Sequence, residues 1–146
     1  MPDKNDQHDR IERVSAALSG TENLGTLIEF LPVGVAIYTL ENPADLGSFR
    51  CRFRNAAAAE ISRTPDDLLI GKSIRDSIPE LLQTDSPKTW ELALRLGKVQ
   101  KLPAFHYGDK TVPESIFDIT VVPVRTPTPS PSATIASPTK SSKSTP

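Results

Sequence analysis

The sequence predicts an α+β fold, because segments with strand character lie on both sides of a helical middle region. Residues 33–54 contain two stretches rich in β-branched and aromatic residues, and the second alternates apolar and charged side chains with a period of two. Residues 55–97 contain signals that start and stop helices, and residues 99–124 return to strand character. Strands and helices that are grouped in this way, rather than alternating one by one, indicate the α+β class.

The length and the charge of the chain limit the classes of function. Its 146 residues suit one domain with short extensions, and 37% hydrophobic with 24% charged residues suit a modest core. The net charge is −1, but residues 125–146 hold three basic residues and no acidic one, so residues 1–124 carry −4. Nucleic-acid binding needs a concentrated positive field, so we do not expect a nucleic acid as partner.

The compartment is predicted from the cysteine count and from the N-terminus. The chain has one cysteine, Cys51, so it cannot form an internal disulfide, which fits a reducing compartment. Residues 1–14 are too charged for a secretory signal peptide, and no apolar run reaches the roughly 18–20 residues of a membrane-spanning helix. We therefore expect a cytoplasmic protein without membrane insertion.

The N-terminal region divides into a leader and a helical segment. Residues 1–9 are predicted to be a disordered leader. Residues 10–31 are predicted to form an amphipathic helical segment, whose apolar stripe begins with Ile11 and Val14 and ends at Leu31. This stripe can dock on the domain's own sheet or pair with a second copy of the chain.

The C-terminal region has a composition typical of disorder. Of the 22 residues from 125 to 146, 16 are Pro, Ser or Thr, so the segment cannot bury enough apolar area to offset its ordering entropy. Residues 125–146 are therefore predicted to be a disordered tail, in which only residues 133–136 have weak strand character.

The segment from Ser48 to Asn55 predicts a strand that turns into a helix. Phe49, Cys51 and Phe53 alternate strictly with three arginines, which predicts one buried apolar face and one solvated cationic face. Asn55 precedes a run of alanines and is predicted to be the N-cap of a helix.

Two further helix starts are predicted downstream. Thr64 is a candidate N-cap before a short helix that Gly71 closes. A longer helix is predicted with Ser86 as the cap, Pro87 at its first position and Gly97 as its stop.

A β-hairpin is predicted after these helices. Residues 99–107 and 114–124 are strand candidates, and residues 108–113 form the loop between them. Pro103 cannot donate to a strand ladder, which favours an edge position for the first of these strands.

Three features suggest chemistry, and each has a simpler interpretation. Alternation separates Cys51 from the arginines, so a buried structural cysteine is expected rather than a reactive one. The sequence IGKS at residues 70–73 lacks the glycine of a phosphate-binding loop, because Asp66 stands at that position. His106 lies in a predicted strand without the spacing of a metal site. The sequence therefore predicts no catalytic residues, no metal site and no enzyme activity.

Several short motifs follow each other in a fixed order, around Pro32 and Gly34, then Asn55, Gly71 and Pro123. Their order and spacing resemble those of PAS domains, of the type found as sensor modules in bacterial histidine kinases. Pro32 and Gly34 match the start of the first strand of that family, and Asn55 matches the residue after its second strand. Gly71 matches the end of a short helical element, and Pro123 matches the end of a later strand. The resemblance identifies residues 32–124 as the PAS-like domain.

The resemblance implies an antiparallel sheet of five strands with short helices on one face and a small pocket between them. The fifth strand of the family lies at the centre of the sheet, beside the first. Here only residues 133–136 could form it, so the fifth strand is doubtful. Apolar residues at inward-facing positions are predicted to line the pocket: Val35, Ile37, Phe53, Ile61, Leu68, Trp90, Leu94 and Ile119.

The resemblance also implies a sensory or interaction role in bacterial signal transduction, as in two-component systems. The domain would bind a small ligand or a partner protein, and the chain could be a fragment of a sensor histidine kinase. No cofactor is indicated. Photoactive flavin-binding relatives carry an Asn-Cys-Arg-Phe motif on a helix, whereas residues 50–53 read Arg-Cys-Arg-Phe in a predicted strand, so we do not expect flavin. We do not expect haem at His106 either.

The partners implied are a second copy of the chain, bound through the N-terminal helix, and a separate kinase or other output protein. Two alternatives remain open. The first is a dimerisation adaptor whose core is filled and binds no ligand. The second is a small α+β enzyme of cystatin-like shape, which would need acidic or histidine groups inside the pocket.

Overall fold

The computed structural model describes residues 4–18, 21–124 and 132–140, which form one antiparallel sheet of five strands with helices. The strands follow each other across the sheet in the order β2-β1-β5-β4-β3, and every neighbouring pair is antiparallel. The predicted α+β class is therefore confirmed. The strands are β1 (Gly34–Leu40), β2 (Phe49–Arg54), β3 (Gln100–Tyr107), β4 (Ser115–Val124) and β5 (Ser132–Lys140).

The helices precede β1 or lie between β2 and β3. The segment between those two strands also contains two 3₁₀ turns, Asp66–Leu68 and Pro79–Gln83, and a third turn, Leu46–Ser48, leads into β2. The longest helix of that segment packs against β3 and β4. The α-helices are α1 (Lys4–Ala17), α2 (Thr21–Phe30), α3 (Ala56–Ser62), α4 (Ile74–Ser77) and α5 (Ser86–Leu96).

The hairpin of β3 and β4 forms as the sequence predicts. The two strands pair from Gln100 with Val121 to Tyr107 with Ser115. Strand β3 is one edge of the sheet, as predicted, and Pro103 lies where its pairing with β4 shifts register between Leu102 and Phe105.

Strand β5 corrects the prediction for the C-terminal region. Residues 132–140 lie at the centre of the sheet, between β1 and β4, so they do not belong to a disordered tail. The physical reason is that the inner edges of β1 and β4 carry backbone N–H and C=O groups that need partners. The hydrogen bonds that these groups form with β5 outweigh the poor strand propensity of a Pro/Ser/Thr-rich segment. The rest of the predicted tail, residues 125–131 and 141–146, lies outside the described residues.

Helix α1 corrects the prediction for the leader, since residues 4–9 are helical rather than disordered. Polar and charged side chains of this helix form pairs four positions apart, His8 with Glu12 at 3.0 Å and Arg10 with Asp6 at 3.9 Å. Such pairs stabilise an exposed helix that its composition alone would not predict.

Two predicted caps are wrong, and in each case a neighbouring residue takes the position. Pro65 stands at the N-cap position of the 3₁₀ turn after Thr64, which has no side-chain cap bond, and the Thr64 hydroxyl donates to the Ser62 carbonyl at 3.0 Å instead. Helix α5 has Asp85 at its N-cap, and Ser86 is its first residue.

A bulge in β2 reverses the predicted alternation of that strand. Tyr38 of β1 is opposite Cys51 and Ile37 is opposite Phe53, so Arg52 has no partner across the pair. The residues before Arg52 keep the predicted faces, and those after it exchange them. Phe53 therefore shares the outer face with Ile37, and Arg54 turns inward and is only 5% exposed.

Candidate functional site: an apolar cavity beneath the sheet

A cavity of about 130 Å³ lies between the inner face of the sheet and the helices α3 and α5. The cavity is an indentation of the hydrophobic core, since most of its wall is formed by core side chains. Its lining residues are Gly34, Ala36, Tyr38, Arg54, Ala58, Ile61, Ser62, Leu69, Ile78, Leu81, Ser86, Trp90, Phe105, Tyr107, Val112, Phe117 and Ile119.

Three of the eight residues predicted to line the pocket do so: Ile61 from α3, Trp90 from α5 and Ile119 from β4. The spacing of apolar residues in α5 was sufficient to place Trp90, because helix residues on one stripe face one side. Strict alternation in β4, where Phe117, Ile119 and Val121 are buried, places Ile119 on the inner face.

The predicted residues from β1 and β2 lie on the other face of the sheet. Gly34, Ala36 and Tyr38 line the cavity, so the intervening Val35 and Ile37 point away from it. The prediction reversed the faces of β1, because that strand is apolar on both sides and its sequence does not reveal which side is inner. Phe53 lies on the same outer face because of the bulge.

The two remaining predicted residues come from the helical region and are also absent from the wall. Leu68 is 41% exposed, because its 3₁₀ turn ends before a helical stripe can form. Leu94 packs against the core but does not reach the cavity.

Aromatic rings form one wall of the cavity. The ring centroid of Trp90 lies 4.9 Å from that of Tyr38 and 5.1 Å from that of Phe49, the second pair being edge to face. On β3, the rings of Phe105 and Tyr107 are stacked with their centroids 6.1 Å apart. Such contacts hold large side chains in fixed positions around an otherwise small space.

Tyr38 and Cys51 face each other across β1 and β2 at the inner surface of the sheet. Burial raises the pKa of both groups, and it is the largest cause in each case. The Cys51 thiol is 1% exposed and donates towards the Phe53 carbonyl at 3.8 Å. The predicted buried, structural cysteine is therefore confirmed, since its raised pKa disfavours the reactive thiolate.

Tyr107 closes the cavity at the far end of β3. Its hydroxyl donates to the carboxylate of Asp109, which also accepts the backbone N–H groups of Thr111 and Val112 at 2.7 and 2.6 Å. Burial, followed by this hydrogen bond, raises the pKa of Tyr107. The hydroxyl is thus neutral and already occupied.

Arg54 is the cationic residue in the wall, and both Nη atoms of its guanidinium group donate to the protein around it. Nη1 donates to the Thr64 carbonyl at 3.0 Å and to the Asp66 carboxylate at 3.3 Å. Nη2 donates to the Ala58 carbonyl at 3.0 Å and to the Ser62 hydroxyl at 2.5 Å. Arg54 therefore joins the end of β2 to α3 and to the turn that follows it.

Asn55 occupies the position that the resemblance singled out, and it is completely buried. Its Oδ1 accepts the N–H groups of Val35 and Ala58, each at 2.9 Å, so it caps α3 as predicted. Its Nδ2 donates to the carbonyls of Ile28 and Val33, also at 2.9 Å each. One side chain thus links α2, β1 and α3.

The other motif residues have structural positions. Gly71 has φ of +84°, a conformation that favours glycine, and its N–H donates to the Cys51 carbonyl at 2.8 Å. Gly34 lines the cavity, Pro32 lies between α2 and β1, and Pro123 lies in β4 opposite Ala133.

Two polar groups in the wall have no hydrogen-bond partner. Among the described residues, the Ser86 Oγ and the Trp90 Nε1 are the fully buried side-chain N and O atoms without one. They lie four residues apart, at the start of α5, and therefore on the same face of the helix. Sequence reasoning assigned Ser86 to the helix cap and so missed it as a cavity residue.

A second surface of interest is the apolar stripe on the N-terminal helices. Ile11 and Val14 of α1 are 60% and 53% exposed, and Leu27 and Phe30 of α2 are 45% and 80% exposed. Every described side chain from Asp6 to Ala17 is exposed, so α1 does not bury its stripe against the sheet.

The described part of the chain contains no group of three or more His, Cys, Asp or Glu side chains positioned to hold a metal ion. Within the same residues, every helix is too short or too polar to cross a membrane.

Comparison with solved structures identifies the fold. The PAS domain of a protein from Colwellia psychrerythraea is 9% identical, with a TM-score of 0.60 over 81% of this chain and 95% of that chain. The PAS domain of a nitrogen regulation protein from Vibrio parahaemolyticus is 14% identical, with a TM-score of 0.55 over 77% and 94%. A LOV protein from Rhodobacter sphaeroides is 12% identical, with a TM-score of 0.62 over 85% and 68%.

The domain is therefore an antiparallel sheet with a helical layer over an internal cavity, and its fold is that of PAS domains. This confirms the resemblance that the motifs indicated. The sequence itself matches no protein-family model and no curated protein.

Proposed function

We propose that this chain is a sensory module that binds a small molecule in the cavity beneath its sheet and acts by binding rather than by catalysis. The observation that carries the proposal is the cavity itself, whose wall is almost entirely apolar and holds two buried polar groups without partners. A concave, apolar site with a few polar groups is typical of small-molecule binding.

The network around Asn55 supports a route for the signal. The cavity residue Arg54 adjoins Asn55, which bonds to Ile28 near the end of α2. A ligand that shifts the end of β2 would therefore act on the N-terminal helices. We propose that these helices pass the change to a separate output protein, such as a kinase, in bacterial signal transduction in the cytoplasm.

Chemical analysis of the purified protein tests the proposal. We expect mass spectrometry of a denatured extract to detect a small molecule bound to the wild-type protein. Ile61→Phe, which adds volume to a residue of the wall, should abolish its retention. Ile70→Phe, the same change at a site that is 37% exposed and outside the wall, should retain it.

An extract without any bound compound, together with equal melting temperatures of the two variants, would contradict the proposal. Equal melting temperatures of Ile61→Phe and Ile70→Phe would mean that the cavity accommodates the larger ring without strain. The cavity would then be space that no bound compound occupies.

A dimerisation adaptor is the second candidate, favoured by the exposed stripe on α1 and α2. An apolar stripe that stays exposed to solvent is typical of a protein–protein contact surface. The exposed residues of this stripe are Ile11, Val14, Leu27 and Phe30. Light scattering should show a dimer that Val14→Glu combined with Leu27→Glu converts to a monomer. Arg13→Glu, on the other side of α1, should leave the dimer intact. A wild-type monomer at high concentration would exclude this candidate.

A further inference from the structure

The two unpartnered groups of α5 define what the cavity selects. Ser86 is fully buried and Trp90 is 4% exposed, and both line the cavity. The indole N–H of Trp90 can only donate a hydrogen bond, and the Ser86 hydroxyl can donate one as well. A buried donor without an acceptor costs about 1–3 kcal/mol, so a ligand that supplies the acceptor recovers this free energy.

The other polar side chains of the wall are already hydrogen-bonded within the protein. The Ser62 hydroxyl donates to the Ala58 carbonyl at 2.8 Å, and the Tyr38 hydroxyl is hydrogen-bonded with the Cys51 thiol. The Tyr107 hydroxyl is bonded to Asp109, and the two Nη atoms of Arg54 are bonded to Asp66 and to neighbouring oxygen atoms. An anionic ligand would therefore be buried without a free cation, and a cationic one without a free carboxylate in the wall. Since an unpaired buried charge is strongly disfavoured, the ligand must be neutral.

The size of the cavity limits the ligand further. Its volume of about 130 Å³ is close to that of an engineered cavity of roughly 150 Å³ that binds benzene. The rings of Tyr38, Trp90 and Phe105 offer flat apolar walls to a single ring of this size.

We infer that the cavity binds a neutral, single-ring compound with a carbonyl-type oxygen, which accepts hydrogen bonds from the Trp90 Nε1–H and the Ser86 hydroxyl. This inference rests on the proposed function and specifies its ligand class. The two lone pairs of one carbonyl oxygen allow it to accept both bonds at once.

The test uses two rings of similar shape, cyclohexanone and methylenecyclohexane. The first carries a C=O group, which accepts hydrogen bonds, and the second carries a C=CH₂ group in its place. Trp90 is the only tryptophan, so the protein has a single indole N–H signal in its nitrogen–proton NMR spectrum. We expect cyclohexanone to move this signal downfield, as hydrogen bonding does, and methylenecyclohexane to leave it near its original position.

Titration of variants provides the second measurement. Ser86→Ala should weaken cyclohexanone about fivefold to tenfold and change the affinity for methylenecyclohexane less than twofold, because only the ketone loses a hydrogen bond. Lys88→Ala, an exposed change on the same turn of α5, should change neither affinity. Circular dichroism and melting temperature check that both variants are folded.

The results separate this inference from the proposed function. If Ser86→Ala weakens both rings equally, or if the ketone does not move the indole signal, the inferred ligand class is wrong while ring binding still supports a small-molecule site. If neither ring binds, the inference is also wrong, and the extraction experiment decides the proposed function independently.

Discussion

The two halves of β2 carry the same kinds of side chain on opposite faces of the sheet. Before the bulge, Phe49 is completely buried and Arg50 lies on the outer face. After it, Arg54 is 5% exposed at the cavity and Phe53 lies on the outer face. The single unpaired residue between them, Arg52, makes the exchange, because side chains alternate with a period of two.

The exchange of faces at Arg52 shows how β2 makes hydrogen bonds to the helical layer while the core beneath the sheet stays apolar. In the first half of β2, Phe49 contributes an apolar contact on the inner face, edge to face with Trp90, and the cation of Arg50 stays on the outer face. The second half directs a guanidinium group inward, where it donates to the carbonyl groups of Thr64 and Ala58. The bulge thus places the one residue that connects β2, the cavity wall and α3.

Replacing Phe49 and Phe53 by alanine should give the largest difference in unfolding free energy between the two halves of β2. Phe49→Ala should reduce the free energy of unfolding by about 3–5 kcal/mol, as expected for a fully buried ring. Phe53→Ala should cost only about 1–2 kcal/mol, because its ring is partly exposed on the outer face. Urea unfolding followed by circular dichroism measures both, and equal losses would contradict the exchange of faces.

Arg54→Ala should follow, with a loss of about 2–4 kcal/mol, since the Thr64 and Ala58 carbonyls each lose a hydrogen bond and Asp66 loses its ion-pair partner in a largely buried region. Arg54→Lys should recover only part of this loss, because an ammonium group cannot reproduce the planar fork of a guanidinium. The same unfolding measurement applies. A change below about 0.5 kcal/mol for Arg54→Ala would place this side chain in solvent and remove the basis of the comparison.

The parts of the structure that the sequence predicted are those that local chemistry determines. Asn55 caps α3 and Gly97 ends α5 in a left-handed conformation, because few other residues stabilise these positions. The bulge at Arg52 was not predictable, since a strict alternation contains no signal for an extra residue. Strand β5 was predicted only as doubtful and only for residues 133–136, because its place depends on the open edges of β1 and β4, which are distant in sequence.

The cavity was predicted in part for the same reason. Trp90 belongs to a helical stripe and was placed correctly, whereas Val35 and Ile37 belong to a strand that is apolar on both faces. Ser86 was predicted as the N-cap because serine is a good N-cap residue, but Asp85 next to it is another and occupies that position. A difference of one position decides whether the Ser86 hydroxyl faces the helix end or the cavity.

Alkaline pH tests the inner face before the bulge. The pKa of Tyr38 is raised from its model-compound value of 10.0 and that of Cys51 from 9.0, mainly by burial. Folding therefore favours the neutral forms, so their contribution to stability is complete below pH 9 and decreases as the pH rises through 9 and then 10. Each group contributes a slope of up to about 1.4 kcal/mol per pH unit. Unfolding measured at increasing pH should show a shallower decrease for Tyr38→Phe, and an identical decrease would mean that Tyr38 ionises freely in the fold.

The smallest effect is expected at the bulge itself. The side chain of Arg52 is 49% exposed, and its guanidinium donates to the Thr39 hydroxyl at 2.9 Å and to Glu41 at 3.1 Å. Solvent screens such contacts, so Arg52→Ala should change the free energy of unfolding by less than about 0.5 kcal/mol. Arg52→Pro, at the same position, should be far more destabilising if the strand conformation of the bulge matters and its cation does not. A large loss of unfolding free energy for Arg52→Ala would instead show that the ion pair of the outer face holds the bulge in place. Polar contacts would then contribute to stability on both faces of β2.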